Sequence, residues 1–286
     1  MSERSDRWFV LLQHWLPKTA LTRALGWLAA RRAGAATHFA IRCFVARYRV
    51  DMSEAANPDP AAYASFNDFF TRPLRRGARP TASAPWICPV DGAISQCGRI
   101  EQGSLLQAKG HTYRVLTLLA GDAALAERFS EGAFATIYLS PRDYHRIHMP
   151  AAGRLRRMIY VPGSLYSVNP ATARGIPDLF ARNERVVCEF EGANGPFVMV
   201  LVGATIVGSM ATVWHGVVNP PRPRDVRDWT YADGPVLDRG AEMGRFLLGS
   251  TVVMLFPSQS IQFNAEWTPG RAIRMGEAMG EDGGAS

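Results

Sequence analysis

A run of residues without any charge, from Phe197 to Trp214 (FVMVLVGATIVGSMATVW), constrains the fold of this chain most strongly, because it has to be buried. It is barely long enough to cross a bilayer as a helix. It is also rich in β-branched residues and is interrupted by Gly203 and Gly208. These features are typical of strands and turns, so the run predicts two buried strands joined at a glycine.

Segments of the same kind recur along the chain from Pro85 onward. Each is short, rich in apolar and β-branched residues and bounded by turn residues, which predicts a strand. They lie at 92–100, 132–140, 153–161, 185–192 and 250–256. Helices are fewer: Ser65 followed by Asp68 predicts a helix start, and another helix is predicted near 122–129. The pattern predicts an α+β fold with a largely antiparallel β core, preceded by N-terminal amphipathic helices.

The net positive charge of the chain comes from its N-terminal arm. The whole chain has a formal net charge of +7, and residues 1–50 carry nine arginines and lysines against two acids, so the remainder sums to zero. Apolar residues in the arm recur at helical spacing on either side of Pro17, which predicts amphipathic helices. The first of these carries Trp8, Leu11, Leu12, Trp15 and Leu16. Such helices either lie in an anionic membrane surface or pack on the body, and the sequence leaves both open.

Few side chains in the body are suited to catalysis. His145 and His148 stand three residues apart, but a lone H-x-x-H without a third ligand is weak evidence for a metal site, and we expect none. The four cysteines form no C-x-x-C pair, which suits a reducing compartment. Asp91 precedes Gly92, as in an ordinary Asp-Gly turn. Only Lys109 could serve pyridoxal phosphate, and no glycine-rich phosphate-binding turn supports it.

Several long blocks of sequence, in order and with family-like spacing, resemble the phosphatidylserine decarboxylase family. The resemblance covers most of the body, from Ser65 to Phe256, whereas the arm and the segment after Pro257 match less closely. The blocks are SFNDFFTRPL (65–74), PVDGAISQCG (89–98), LQAKGH (106–111), YLSPRDYHRIHMP (138–150), YVPGSLYSVN (160–169), LFARNERV (179–186), LVGATIVGSM (201–210) and EMGRFLLGSTV (242–252).

The resemblance implies that the chain cuts itself between Gly249 and Ser250. The Ser250 hydroxyl would attack the Gly249 carbonyl, and β-elimination would then leave dehydroalanine at 250, which hydrolyses to a pyruvoyl group and ammonia. His148 matches the base of this reaction and Asp91 its orienting carboxylate, in a serine–histidine–aspartate charge relay. The products would be a large chain, 1–249, and a small chain, 250–286.

The resemblance also implies the reaction of the mature enzyme. The covalent pyruvoyl group derived from Ser250 would form a Schiff base with phosphatidylserine and accept electrons as CO2 leaves. His145 would then donate a proton, which yields phosphatidylethanolamine. The scarcity of lysine fits a cofactor that is made from the chain itself.

The expected organisation follows from these implications. Residues 1–56 would hold the enzyme peripherally on the cytoplasmic side of the cell membrane, 57–275 would form the decarboxylase domain, and 276–286 would be a disordered tail. The expected partners are phosphatidylserine, an anionic membrane surface and the two halves of the cleaved chain as a heterodimer, open to further oligomerisation, with no nucleic acid. Two alternatives stay open: a conventional serine hydrolase using Ser250, His148 and Asp91, and a non-catalytic lipid-surface protein.

Overall fold

The computed structural model describes residues 8, 10, 13, 15, 17–205, 209–219, 222–247 and 250–284. Antiparallel sheets form the body and helices precede them, which confirms the predicted α+β class. The helices are α1 (Lys18–Ala29), α2 (Ala35–Tyr48), α3 (Phe66–Phe70), α4 (Val115–Leu118), α5 (Ala123–Glu127), α6 (Pro170–Gly175) and α7 (Leu179–Arg182), with 3₁₀ turns at Met52–Glu54 and Pro60–Ala62.

The strands are short, and most of them join neighbours that are distant in sequence. They are β1 (Trp86–Ile87), β2 (Gly92–Arg99), β3 (Ser104–Ala108), β4 (His111–Arg114), β5 (Ala133–Leu139), β6 (Arg146–His148), β7 (Gly153–Val161), β8 (Arg185–Gly192), β9 (Gly195–Val202), β10 (Met210–Thr212), β11 (Gly216–Val217), β12 (Arg227–Thr230), β13 (Val236–Leu237), β14 (Glu242–Phe246), β15 (Ser250–Phe256), β16 (Ile261–Phe263), β17 (Ala272–Ile273) and β18 (Ala278–Asp282).

A nine-stranded antiparallel sheet is the centre of the molecule. Its order is β12-β7-β8-β9-β15-β5-β2-β17, and β13 pairs with β7 beside β12. A second sheet has the order β11-β10-β14-β6, a third the order β1-β18-β16, and β3 and β4 form a hairpin. The β15 strand lies between β9 and β5 and is hydrogen-bonded to both.

The middle of the large sheet is buried on both faces. On β15, Val253 and Leu255 belong to one apolar cluster, which contains side chains of the helices. The alternate residues Val252 and Met254 belong to the other cluster, which contains residues of β6 and β14. Because successive side chains of a strand point to opposite faces, burial on both faces requires an uninterrupted apolar run. This explains the apolar segments from which the strands were predicted.

The local signals in the sequence are confirmed. Each of the five strand-like segments contains a strand, namely β2, β5, β7, β8 and β15. Ser65 caps α3 by accepting a hydrogen bond from the Asp68 N–H, at 3.1 Å, and Asp122 caps α5 through the Leu125 N–H, at 2.9 Å. The helices predicted at these two places therefore begin where the capping residues stand.

The uncharged run from Phe197 to Trp214 is divided between β9 and β10, which confirms two strands. Residues 206–208, which include Gly208, lie outside the described part of the chain. In the part that the structure covers, no helix is both long and apolar enough to cross a membrane.

The arm is partly packed on the body and partly exposed. Pro17 immediately precedes α1, and residues on its N-terminal side, including Trp8 and Trp15, are helical as well. The α2 helix packs on the body through Ile41, which is fully buried. By contrast, Trp8, Trp15 and Trp27 are 75%, 86% and 60% exposed. Of the predicted apolar face, Leu11, Leu12 and Leu16 lie outside the described residues.

The prediction of a disordered tail at 276–286 is wrong for most of that segment. Ala278–Asp282 forms β18, which pairs with β1 on one side and β16 on the other. Met279 is fully buried in the apolar cluster that also contains Trp86. Glycines and acids made the segment resemble a solvated tail, but one deeply packed methionine and two strand partners hold it in place.

Candidate active site

Two segments cross side by side between the nine-stranded sheet and the four-stranded sheet. One connects β5, which ends at Leu139, to β6, and the other connects β14, which ends at Phe246, to β15. Ser250 pairs with Leu139 in the β15–β5 ladder, and the Phe246 N–H donates to the His145 carbonyl at 3.0 Å. The backbone of Ser250 therefore lies next to the segment 140–148, which carries His145 and His148 and is called the histidine loop below. Gly249 is outside the described residues, and Ser250 is described for its backbone only.

His148 is held at both ring nitrogens. Its Nδ1–H donates to the Gly240 carbonyl at 2.8 Å, which leaves the lone pair on Nε2. The Tyr144 hydroxyl donates to that Nε2 at 3.0 Å. The backbone is fixed as well, because the His148 N–H donates to the Pro89 carbonyl at 2.9 Å. Burial lowers the pKa of His148, so its ring is a neutral base near pH 7.

Asp91 lies beside His148 but is bonded to other groups. The Arg79 guanidinium donates to both carboxylate oxygens, and the Met275 N–H donates to Oδ1 at 2.9 Å. Arg79 also pairs with Glu54 at 2.7 Å, and these hydrogen bonds with two carboxylates raise its pKa against the opposing effect of burial. Burial dominates the lowered pKa of His148, and the charge of Asp91 opposes it only as the smallest of several contributions, behind that of Glu242.

His145 is fully buried and its ring is neutral. Its Nδ1–H donates to the Asp143 carbonyl at 2.8 Å, and the ring packs against Phe70 with centroids 4.1 Å apart. Burial lowers the pKa of His145 to about 3, and the nearby Arg72 charge contributes in the same direction. Its Nε2 has no hydrogen-bond partner among the residues that the structure describes. A buried nitrogen left without a partner is costly, so it marks a place where another group belongs.

The structure thus brings His145, His148, Asp91 and the backbone of Ser250 to one place, and among their described side chains no hydrogen bond joins Asp91 to either histidine ring. His145, His148 and the backbone of Ser250 adjoin the same crossing, and Asp91 stands two residues after Pro89, whose carbonyl accepts from the His148 N–H. The expected contact from Asp91 to the His148 ring is not made, because the Gly240 carbonyl occupies Nδ1.

A cleft of about 540 Å³ opens beside this crossing. Its wall includes Asp91, Tyr138 and Tyr144, and several charged residues complete it. The glycine after Asp91 allows the wall to form, because a Cβ on Gly92 would stand 2.4 Å from the Tyr138 carbonyl oxygen of the neighbouring strand. The cleft thus opens next to the loop between β5 and β6, which contributes Ser140, Asp143 and Tyr144 to its wall.

The polar atoms around Ser250 fit a small covalent carbonyl group. In the described part of the chain, Thr251 Oγ1 on the next residue and His145 Nε2 on the neighbouring loop are both buried without a partner. The hydroxyl supplies a donor, and the neutral imidazole nitrogen an acceptor. The carbonyl oxygens of a pyruvoyl group at position 250 could accept from the Thr251 hydroxyl, whereas His145 Nε2 is itself an acceptor and needs a donor, such as an N–H of the substrate.

Sequence reasoning missed three features of this site. Gly240 acts through its carbonyl, so no side-chain motif could have revealed it, and only the pairing of Glu242 with His148 brings it close. Arg79, which binds Asp91, follows the recognised block 65–74 by only a few residues, and an arginine near the carboxylate expected to orient the base was the available signal. Tyr144 stood in the recognised block, but nothing in its spacing predicted the bond to His148.

Comparison with known proteins identifies the family of the chain. A family model described as phosphatidylserine decarboxylase matches residues 66–281, and a second, described as PSD, matches 8–49. The chain belongs to the phosphatidylserine decarboxylase family. The second match places most of the arm, with its tryptophans, in the region shared with relatives.

Three relatives, each named phosphatidylserine decarboxylase proenzyme, are similar over almost their whole length. The protein of Azoarcus sp. (strain BH72) is 70% identical over 278 residues, which are 97% of this chain and 96% of the relative. The protein of Delftia acidovorans is 66% identical, covering 96% and 98%, and that of Dechloromonas aromatica is 63% identical, covering 97% and 99%. The name proenzyme states that these relatives are made as precursors.

Proposed function

We propose that this chain is a proenzyme that cleaves itself between Gly249 and Ser250 and then converts phosphatidylserine to phosphatidylethanolamine and CO2. One observation carries the proposal: Ser250 begins β15 directly opposite Leu139, at the end of β5 from which the histidine loop departs. The family membership of the chain supports the same reaction. A conventional hydrolase would not need its serine at the entrance of a central strand, next to a glycine.

His148 is the base of the cleavage in this proposal. Its Nε2 carries the lone pair, and the Gly240 carbonyl keeps the proton on Nδ1. After Tyr144 yields its place, Nε2 takes the proton of the Ser250 hydroxyl, and the oxygen attacks the Gly249 carbonyl carbon. The C–N bond breaks as the ester forms. Elimination then releases Gly249 as a carboxylate, and hydrolysis of the resulting dehydroalanine yields ammonia and the pyruvoyl group.

Asp91 acts on this step through its charge. It shares no hydrogen bond with the His148 ring in this structure, but its charge raises the pKa of that ring. A carboxylate that favours the imidazolium stabilises the state in which the base holds the serine proton. Arg79 fixes the position of Asp91 through its guanidinium and compensates much of the carboxylate charge.

The decarboxylation uses the same crossing. The pyruvoyl group supplies a ketone that condenses with the substrate amine and accepts electrons as CO2 leaves. Thr251 Oγ1 is the donor available to hold its oxygen, and His145 Nε2 is the atom available to receive a proton and return it to the substrate Cα. The packing of Phe70 against the His145 ring shields the proton that passes between Nε2 and the substrate from exchange with water.

The arm serves access to the lipid. Around α1 and α2, Trp15, Trp27 and Phe39 are exposed together with arginines such as Arg23 and Arg31. An apolar groove of about 460 Å³, lined by Leu25 and Leu28 among others, runs between these helices. Exposed tryptophan with surrounding arginine suits an anionic membrane interface, so we assign the protein a peripheral place on the cytoplasmic face of the cell membrane.

The experiment is a denaturing gel of purified protein, followed by a CO2-release assay with phosphatidylserine. Wild type should show chains of 1–249 and 250–286, held together as a heterodimer under native conditions, and the small chain should resist Edman sequencing because a ketone replaces its amine. Ser250→Ala should stay whole, whereas the control Ser258→Ala, at an exposed turn, should be cut normally. A whole wild-type chain, or a Ser250→Ala chain cut at the same bond, would contradict the proposal.

A further inference from the structure

One buried arginine in the cleft has no ion-pair partner among the residues that the structure describes. Arg72 follows α3 and is only 3% exposed, yet it lines the cleft of about 540 Å³. Its Nη2 donates a long hydrogen bond of 3.4 Å to the Arg142 carbonyl, and its Nε has no partner among the described residues. A guanidinium withdrawn from water without an anion is strongly unfavourable, so the structure around it is incomplete without one.

The acidic side chains of the cleft are engaged elsewhere. Arg79 binds both Asp91 and Glu54, and Arg274 reaches Glu54 at 2.9 Å. Asp143 accepts hydrogen bonds from the N–H and the hydroxyl of Ser140, both at 2.7 Å. Within the described part of the chain, no carboxylate forms an ion pair with Arg72. The described residues thus leave Arg72 able to pair with the anion of a bound substrate.

The position of Arg72 narrows the choice of anion. Arg72 lies close enough to His145 for its charge to lower the pKa of that ring, and Phe70, two residues before it, packs on the same ring. In phosphatidylserine the phosphorus is three bonds from the Cα that His145 would protonate. A phosphodiester bound beside His145 would therefore hold the substrate Cα, three bonds away, close to the ring that protonates it.

We propose that Arg72 binds the phosphodiester of the phospholipid head group, and so places the substrate Cα next to His145. This inference rests on the proposed function. The phosphodiester keeps its charge throughout the reaction, and a planar guanidinium matches two of its oxygens. The substrate carboxylate is the poorer candidate, because an ion pair that holds it would stabilise the ground state and oppose the loss of CO2.

The test compares Arg72→Gln with Arg76→Gln, an exposed arginine of the same segment that does not line the cleft. Two soluble competitors separate the anions: glycerophosphoethanolamine carries the phosphodiester without a carboxylate, and L-serine carries the carboxylate without a phosphodiester. In Arg72→Gln we expect normal self-cleavage, a fall in kcat/KM of about 100-fold, mainly through KM, and a similar loss of inhibition by glycerophosphoethanolamine. Inhibition by L-serine should not change, and Arg76→Gln should resemble wild type.

Each other outcome overturns the proposal. A processed Arg72→Gln enzyme that keeps its inhibition by glycerophosphoethanolamine, or loses inhibition by L-serine instead, does not bind the phosphodiester through Arg72. If Arg72→Gln is not processed, Arg72→Lys replaces it in the test, and a processed lysine variant should retain part of the inhibition by glycerophosphoethanolamine. Failure of both variants to mature assigns Arg72 a purely structural role. A wild-type protein without self-cleavage or CO2 release would refute the proposed function before Arg72 is compared.

Discussion

Burial of His145 makes a quantitative prediction about the stability of the uncleaved chain. The pKa of this ring is lowered from 6.5 to about 3 by burial, so the unfolded chain binds a proton more readily than the folded chain. The stabilisation is therefore fully present above pH 6.5 and is lost progressively as the pH falls toward 3. At pH 5, about 1.5 units below the pKa of the ring in the unfolded chain, protonation of His145 on unfolding should lower the free energy of unfolding by roughly 2 kcal/mol relative to pH 7.5.

The assay is urea unfolding of the Ser250→Ala chain at pH 7.5 and pH 5, compared with the same chain carrying His145→Asn. Asparagine keeps an N–H donor near the position of Nδ1 and does not titrate in this range. The variant loses some stability at both pH values through altered packing, so the difference between the two pH values is the quantity to compare. We expect that difference to be smaller in the His145→Asn chain by roughly 2 kcal/mol.

The result bears directly on the mechanism. A His145 ring that stays neutral in the precursor holds its proton on Nδ1 and presents Nε2 as an acceptor. It must then receive a proton within the mature site before it can give one to the substrate. If both chains lose the same free energy of unfolding between pH 7.5 and pH 5, His145 is not kept neutral by burial, and the assignment of Nε2 as the exchanging atom fails.

Three further predictions concern maturation and the membrane. His148→Ala should block self-cleavage because it removes the base, whereas His145→Ala should still be cut but decarboxylate poorly; the reverse pattern on a gel and in a CO2 assay would exchange the two roles. Because burial lowers the pKa of His148 below its ordinary 6.5, the rate of self-cleavage in freshly synthesised chain should stay level from pH 8 to pH 7 and reach half its maximum only below pH 6.5; a decline between pH 8 and pH 7 would contradict a neutral base. Replacing Trp15 and Trp27 with alanine should weaken flotation with anionic liposomes, and salt should weaken the remainder, while cleavage stays normal; unchanged flotation would remove the tryptophans as anchors.

The strands that could be predicted from the sequence are those whose burial leaves an apolar pattern in the sequence itself. The β9 and β15 strands are buried on both faces, so their sequences are uninterrupted apolar runs. The β6 and β14 strands are short and carry arginine, histidine and glutamate, and no apolar pattern marks them. Their pairing with each other, which builds the crossing at the site, joins residues about a hundred positions apart and could not be foreseen from local signals.

The site could be predicted only as far as side-chain motifs reach. His145, His148, Asp91 and the Gly249-Ser250 step were identified through blocks of sequence that resemble a known family. The groups that hold these residues were not, because a carbonyl such as that of Gly240 has no residue identity that a motif can record. The tail was mistaken for disordered chain for a related reason, since a single buried residue, Met279, outweighs its polar composition.

The place of the proposed cut at the entrance of β15 has a structural reason. The residues after it, 252–256, are completely buried in the middle of the nine-stranded sheet, hydrogen-bonded to β9 and β5 on either side. At roughly 2 kcal/mol for each buried side chain, these five alone contribute about 10 kcal/mol that does not depend on the bond before Ser250. A chain cut there keeps its small fragment, because β15 to β18 remain integral to the sheets. The same register that holds the fragment also holds residue 250 opposite Leu139, beside the histidine loop, so the group made by the cleavage stays where the second reaction needs it.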